Sequence, residues 1–207
     1  MALTVGLLVF LLIDTIGEGL EAGAETIGRL RGTVLFWVML AVTTLVLLAL
    51  GRAKGAAPEG LRLATFIALG IGLHNLGEGL AVGAALATGS AALATFLVIG
   101  FTIHNVTEGI GIAVPIAEEK PKLIQFAGLA ALAGFPAIIG TIAGTQAVSP
   151  LWIAVCFGVG AGAILQVIIE VGALIARRAG PGQWMSPPVA GGVSVGLGVM
   201  YATALLV

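Results

Sequence analysis

The sequence predicts an all-α protein, a polytopic bundle of about seven transmembrane helices that forms one domain over residues 1–207. Of the 207 residues, 59% are hydrophobic and only 9% are charged, and the mean hydropathy is +1.16. A soluble domain carries about 25% charged residues, so this chain could not cover a water-facing surface. Lipid offers no hydrogen-bond partners, so a chain that crosses a bilayer without closing into a barrel must pair its backbone N–H and C=O groups within helices. The net charge of −1 gives no indication of a nucleic-acid partner.

Seven apolar segments are long enough to cross a bilayer, for which about 20 residues are needed. Charged or turn-forming residues separate them, and the loops are too short to hold a second domain. The segments are Ala2–Ala24, Thr33–Leu50, Leu61–Ala87, Ala91–Ala117, Leu123–Thr145, Pro150–Ala176 and Val189–Leu206. The 32 glycines among them predict close helix packing through small-residue faces.

The distribution of lysine and arginine predicts the orientation, because basic residues collect in cytoplasmic loops. With seven spans, the loops on the N-terminal side hold seven basic residues and the opposite loops hold two. We therefore expect a cytoplasmic N-terminus and an external C-terminus, in the plasma or inner membrane of a cell. The two groups are Arg52, Lys54, Arg62, Lys120, Lys122, Arg177 and Arg178 against Arg29 and Arg31.

One short phrase occurs twice in the middle of this apolar sequence. His74–Gly79 reads HNLGEG and His104–Gly109 reads HNVTEG, and they contain the only two histidines of the chain. Ionisable groups inside a membrane span are costly and usually functional. The two phrases are therefore the first candidates for a site, and each is the natural partner of the other.

Helical geometry places the polar side chains of each phrase together. Positions four apart lie about 40° apart around a helix, so the histidine and glutamate of each phrase share a face. A short turn at Thr88–Ser90 makes the two helices antiparallel neighbours. Their facing surfaces offer two imidazoles, two carboxylates and two amide carbonyls, arranged as one site or as two adjacent sites. The predicted metal ligands are His74, Asn75, Glu78, His104, Asn105 and Glu108.

Nitrogen and oxygen ligands without thiolate suit divalent first-row metals or cadmium. Two carboxylates also neutralise a divalent charge, which matters in a medium of low dielectric constant. The alternative is that each His–Glu pair is a hydrogen-bonded latch between helices. Such a latch would require neither duplication nor the additional asparagines, so we favour a metal site.

The first segment contains a related phrase, DTIGEGL from residue 14, with aspartate in place of histidine. Asp14, Glu18, Glu21 and Glu25 fall within about 60° of one another on a helix. This acidic stripe extends from the middle of the membrane to the predicted outer face, where it would serve as a cation entry path. We expect Asp14 and Glu18 to contribute to the metal site. Glu21 and Glu25 are either pathway residues or solvated interfacial ones.

In the sixth segment, Gln166 and Glu170 are the only strongly polar residues, and they are again four positions apart. Both are candidates for the transport pathway. The alternative for Glu170, which lies towards the predicted cytoplasmic end, is that its side chain extends to the membrane surface.

The doubled phrase resembles the paired motif of the ZIP (Zrt/Irt-like) family of divalent metal transporters. The similarity covers roughly Leu61 to the C-terminus, and helices 61–87 and 91–117 match the fourth and fifth helices of that family. The resemblance implies that the six ligands named above form a binuclear metal site, and that Glu170 matches an acidic position of the seventh helix. It also implies a homodimer, an elevator-like movement and transport into the cytoplasm.

Three features depart from the family pattern. The family usually has eight helices, and this chain has seven predicted spans, as though the first were absent. Gly77 and Thr107 stand where the family usually has proline before the motif glutamate. Phe135 precedes Pro136 where the family often has glutamate. A ligand of the second metal would then be missing, unless Asp14 or Glu18 replaces it.

Residues and resemblance together predict a carrier that moves zinc, iron, manganese, cadmium or a similar ion into the cytoplasm by alternating access around a midplane site. The metal is then a substrate; we expect no catalytic cofactor and no enzyme activity. Two alternatives belong to other classes. One is a metal-binding sensor or channel-like membrane protein, and the other is an intramembrane metalloenzyme. The second is disfavoured because the H-E-x-x-H arrangement and nucleophile motifs are absent from the sequence.

Overall fold

The computed structural model describes residues 1–26, 29–52, 58–117, 119, 121–146, 149–180 and 186–205, without the side chains of Arg29, Leu30 and His104. Within these ranges the chain forms seven α-helices and one short 3-10 helix, with no strands. The predicted all-α fold is therefore confirmed. The α-helices are α1 (Ala2–Ala24), α2 (Arg29–Arg52), α3 (Gly60–Ala87), α4 (Ala91–Ala113), α5 (Leu123–Gly144), α6 (Pro150–Ala179) and α7 (Pro187–Ala204).

The helix boundaries follow the apolar segments closely. α2 is longer than its apolar segment at both ends, since it begins at Arg29 and ends at Arg52. α4 tightens into a 3-10 turn at Val114–Ile116. Pro115 lies within that turn and has no N–H for an α-helical hydrogen bond, so the regular helix ends there.

Six helices of the described chain, α1 to α6, are long and apolar enough to cross a membrane. The sixth and longest has 30 residues, and α7 has 18. Two prolines and four glycines lower the hydropathy of α7, which does not belong to the group of six. A membrane-embedded helical bundle is thus supported, while the seventh span stays a prediction.

Helix α3 occupies the centre of the bundle and packs against α4, α5 and α6. Helix α6 packs in turn against α1 and α2, and α7 lies against α1. Gly23 of α1 lies beside Thr33 of α2, and Gly19 lies beside Phe36. Helices α1 and α2 are therefore antiparallel, and the far end of α2 lies at the opposite end of the bundle.

Glycine brings the backbones of α3 and α5 into direct contact. Gly79 lies against the carbonyl of Ala137, and Gly140 lies against the carbonyl of Leu76. A Cβ atom at either glycine would overlap that carbonyl oxygen. Close packing of this kind drives helix association where lipid removes the hydrophobic effect. The predicted packing role of the glycines is confirmed at these positions.

Candidate metal centre

The two repeated phrases face each other across the contact between α3 and α4. Asn75 Nδ2 donates a hydrogen bond of 2.7 Å to Asn105 Oδ1, which joins equivalent positions of the two phrases. Asn75 Nδ2 also donates to the carbonyl of Ala133 on α5, at 3.1 Å. Asn105 Nδ2 donates to the carbonyl of Phe101 at 2.7 Å. The asparagines thereby fix the register of the two helices at the centre of the bundle.

His74 is fully buried and is held from both sides of its ring. Its Nδ1 lies 2.9 Å from the hydroxyl of Thr15 on α1, and its Nε2 lies 3.2 Å from Glu78 Oε1. The Thr15 hydroxyl donates its single hydrogen to the carbonyl of Leu11, at 2.6 Å. The hydroxyl is therefore the acceptor towards His74, and we infer that Nδ1 carries a proton.

This arrangement leaves Nε2 of His74 facing a carboxylate oxygen of Glu78. A lone pair and a carboxylate repel each other, so a positive charge must lie between these two atoms, either a proton or a metal ion. The hydrogen bond from Nδ1 to Thr15 is of the kind that orients metal-binding histidines in other proteins. The pair thus places a nitrogen and an oxygen close together, and both are atom types that can bind a metal ion.

Glu108 supplies a second carboxylate on the facing helix. It is 4% exposed, and neither of its oxygens has a hydrogen-bond partner among the described side chains and backbone. The amide of Asn75 lies close to it, but its N–H groups point to Asn105 and Ala133 instead. Glu108 also lies within electrostatic range of Glu78 and His74. An unpaired buried carboxylate is costly, so a cation would stabilise this position.

Two cavities open onto the polar atoms between α3, α4 and α5. One of about 170 Å³ is lined in part by Glu78 and Asn105. The other, of about 250 Å³, is lined in part by Asn75, Asn105 and Glu108. A water molecule takes about 30 Å³, so either space could hold an ion with some of its hydration shell.

A third cavity, of about 210 Å³, lies between α1, α3 and α6 at the end of the bundle where α1 finishes. Three of the four predicted stripe residues line it: Glu18, Glu21 and Glu25. Glu18 Oε2 is buried and has no hydrogen-bond partner within the described part of the chain. Glu18 also lies within electrostatic range of His74 and Glu78. This acid-lined cavity therefore approaches the centre from one side.

Asp14 is the stripe residue that the structure does not bring to the centre. Its side chain is exposed on the surface of the bundle, whereas Thr15 is fully buried against His74. Adjacent residues lie about 100° apart around a helix, so α1 cannot direct both side chains to the same neighbour. The contact that α1 makes with His74 is Thr15, and the metal role of Asp14 stays a prediction.

Among the side chains that the structure describes, no three His, Cys, Asp or Glu residues come together closely enough to hold a metal ion. The prediction for His104 lies outside those side chains. Its backbone belongs to α4, one turn before Glu108. The described part of the centre thus consists of a bonded His74–Glu78 pair, with Glu18 and Glu108 at longer range.

Gln166 and Glu170 lie at the opposite end from the acid-lined cavity. Both are fully buried, and Glu170 Oε1 accepts a hydrogen bond of 3.0 Å from Arg52 Nε at the end of α2. The suggestion that Glu170 extends to the membrane surface is wrong, because its side chain has no exposed area. Arginine, with the longer side chain, reaches inward to the carboxylate instead.

Thr15 and Arg52 are the contacts that the sequence did not single out. Threonine is common in transmembrane helices, and its role depends on a histidine 59 residues away. Arg52 ends an apolar segment, as many arginines do. Two features of the sequence indicated that such contacts exist: the related phrase that begins at residue 14, and a glutamate inside a membrane span. Neither feature identifies the partner residue.

No protein-family model matches the chain, and the search among curated proteins found no match either. The resemblance to the ZIP family therefore rests on the residues of the two repeated phrases.

Proposed function

We propose that the chain is a divalent metal transporter that moves zinc, iron, manganese, cadmium or a similar ion across the membrane, with the phrases on α3 and α4 as its central binding site. The observation that carries the proposal is the pair of carboxylates, Glu78 and Glu108, buried on facing helices inside an apolar bundle. Cation binding would relieve the energetic cost of both. A stable protein keeps such a cluster when function requires it.

The geometry supports a site that closes around its ion. In the proposed bound state, Glu108 moves towards the His74–Glu78 pair, and His104, one turn before Glu108, joins as a fourth ligand. The asparagine carbonyl oxygens complete the set or bind a second ion. Nitrogen and oxygen donors together favour divalent first-row metals and cadmium over hard alkali ions.

The acid-lined cavity supports an entry route from one face. Glu21 and Glu25 would concentrate cations at its mouth, and Glu18 would pass them to the centre. In the predicted orientation, with seven spans and a cytoplasmic N-terminus, this cavity faces outwards, which supports import into the cytoplasm of a cell. Alternating access would then open the opposite end. A homodimer is part of the proposal through the ZIP resemblance alone.

The deciding experiment is uptake of Zn²⁺, Mn²⁺ and Cd²⁺ into proteoliposomes, compared between the parent chain and a double variant, Glu78→Ala with Glu108→Ala. We expect saturable uptake by the parent and its loss in the double variant. Glu59→Ala is the matched control, because Glu59 lies outside the helices with its side chain 58% exposed. Undiminished uptake in the double variant would reject the central site.

The same preparations separate a carrier from a sensor. A sensor would bind metal in detergent with an affinity that depends on Glu78 and Glu108, but it would produce no saturable flux into vesicles. A channel-like protein would give flux that increases linearly with concentration. Each of these results would reject the carrier while preserving the metal centre.

A further inference from the structure

At the end of the bundle remote from the acid-lined cavity, α2, α3 and α6 enclose a second polar cluster. Its acid–amide pair, Gln166 and Glu170, projects from successive turns of α6 and is fully buried. Both side chains face Gly51, where an added Cβ would lie 3.7 Å from Gln166 Nε2 and 3.8 Å from Glu170 Oε1. Arg52 Nε donates to Glu170 Oε1 at 3.0 Å.

The cluster is only partly satisfied. Glu170 Oε2 and both polar atoms of the Gln166 amide have no hydrogen-bond partner among the described residues. A buried polar atom without a partner costs about 1–3 kcal/mol, and such atoms in a folded protein call for an explanation. Here the unpaired atoms include two oxygens, Glu170 Oε2 and Gln166 Oε1, which are acceptors that could bind a cation.

Arg52 is poorly suited to be a permanent partner of this cluster. Its side chain is 51% exposed while that of Glu170 is not exposed at all, so the guanidinium reaches in from the surface. It contacts one carboxylate oxygen through Nε, although arginine can bind carboxylate through two parallel hydrogen bonds. An arginine held in this way can withdraw into water without moving a helix.

A largely apolar layer separates the cluster from the candidate metal centre. Gly160 of α6 lies against the backbone of His74, so Gln166 and Glu170 lie about 9 and 15 Å further along the axis at 1.5 Å per residue. The layer also holds the buried hydroxyl of Thr44, which donates to the carbonyl of Gly162. Its apolar side chains belong to one core cluster: Ile67, Ile71, Ile164 and Val167. The centre is therefore closed towards this end, in contrast to the acid-lined cavity at the other.

We propose that Arg52 is a built-in cation that keeps this end of the bundle closed, and that a divalent metal ion leaving the candidate metal centre displaces its guanidinium from Glu170. The proposal rests on the transport function proposed above. The ion takes oxygens of Glu170 and Gln166 as ligands, a donor type that Mn²⁺ and similar ions accept. The guanidinium moves into water, and it returns to Glu170 when the ion is released.

The test compares Arg52→Gln with Arg62→Gln, both in the Glu78→Ala, Glu108→Ala background. Arg62 is the matched control because it lies at the same end and donates to the backbone carbonyls of Leu50 and Gly51. Calorimetric titration with Cd²⁺ in detergent is the measurement. We expect the Arg52→Gln chain to bind one Cd²⁺ at least about tenfold more tightly than the Arg62→Gln chain, since the guanidinium that competes for the buried Glu170 carboxylate has been removed. Adding Glu170→Gln to both chains should abolish that difference.

Equal Cd²⁺ binding by the Arg52 and Arg62 variants, or a difference between them that survives Glu170→Gln, would overturn the proposal. Removing one partner of a buried ion pair can prevent folding. If Arg52→Gln does not fold, Arg52→Lys is compared with Arg62→Lys. Lysine keeps the charge but lacks the planar guanidinium, and we expect tighter Cd²⁺ binding in the Arg52 variant; equal binding again overturns the proposal.

The background variant separates this result from the proposed function. Glu78 and Glu108 are absent from both chains, so the difference in Cd²⁺ binding that is lost on adding Glu170→Gln reports the Glu170 position. A parent chain without uptake, combined with the expected binding pattern, would reject transport and leave the cation position at Glu170 standing. Uptake by the parent without that pattern would retain transport and reject the role of Arg52.

Discussion

The two ends of the bundle place a buried carboxylate in different electrostatic surroundings. At one end, Glu18 borders an acid-lined cavity, and its Oε2 has no hydrogen-bond partner among the described residues. At the other end, Glu170 is fully enclosed and already paired with Arg52. A cation arriving at the first end would meet carboxyl groups that form no ion pair among the described residues, whereas one at the second end must compete with a guanidinium.

In the proposed transport function, this difference would give the movement of cations a direction without requiring any change of fold. Attraction at the Glu18 end raises the local cation concentration, because clefts lined by one charge sign focus the electrostatic field. The paired charge at the Glu170 end contributes little to such attraction. The four predictions that follow test whether the two ends really differ in this way.

The largest effect is expected from reversing the charge at the open end. Glu18→Lys places an ammonium beside the His74–Glu78 pair, where it repels an incoming divalent ion and competes for the carboxylate. We expect uptake to fall by about a hundredfold, which corresponds to about 2.7 kcal/mol. Radioactive Zn²⁺ uptake into proteoliposomes is the measurement. Glu59→Lys at the other end is the control, and a comparable loss there would remove the distinction between the ends.

The contact of Thr15 with His74 should have the next largest effect. Thr15→Val keeps the shape of the side chain but removes the acceptor for the Nδ1 proton of His74. We expect a loss of about tenfold in metal affinity, the lower range for removing a hydrogen bond behind a metal ligand. Metal titration in detergent measures it. Thr15→Ser retains the hydroxyl and should bind as the parent does, so equal losses in both variants would exclude orientation as the cause.

Removing charge from the mouth of the acid-lined cavity should produce a smaller change. The double variant Glu21→Gln with Glu25→Gln loses long-range attraction but no predicted ligand. We expect KM to rise about threefold to fivefold with kcat unchanged, and the difference should shrink at high ionic strength because salt screens exposed charges. Uptake kinetics at two salt concentrations provide the check. A change in kcat alone would contradict a role in cation capture.

The smallest effect is expected at the exposed ion pair between Arg177 and Glu59. Their atoms are 3.6 Å apart, and the two side chains are 46% and 58% exposed. Such pairs contribute about 0–1 kcal/mol, so Arg177→Ala should leave uptake unchanged and the melting temperature nearly so. Thermal unfolding followed by circular dichroism measures the latter. A loss of uptake in Arg177→Ala would show that basic charge in general, rather than the contact with Glu170, matters at this end.

The sequence predicted the helices well because their determinants are local. Apolar segments end where charges and turns begin, so α1 and the first residues of α4, α5 and α6 are as predicted. The facing of the two phrases also followed from their spacing and the short turn between them. These inferences use periodicity along one helix or across one loop.

Contacts between distant helices were less predictable. Arg52 and Glu170 are 118 residues apart, and Thr15 and His74 are 59 apart, so no local pattern encodes either pair. The exposed position of Asp14 could not be predicted for a related reason. Its phrase matched that of His74 in sequence, but the rotation of α1 against α3 depends on packing with α2, α6 and α7, which the phrase does not contain.

The glycine contact between α3 and α5 also restricts how the protein can move. Sliding one helix along the other would press α-carbons into carbonyl oxygens, since Gly79 and Gly140 leave no side chain to yield. In the proposed transport cycle, helices α3 and α5 would therefore move as a single rigid body, carrying His74, Asn75 and Glu78 with them. Whatever exposes the metal centre to the second face has to deform an interface other than this one.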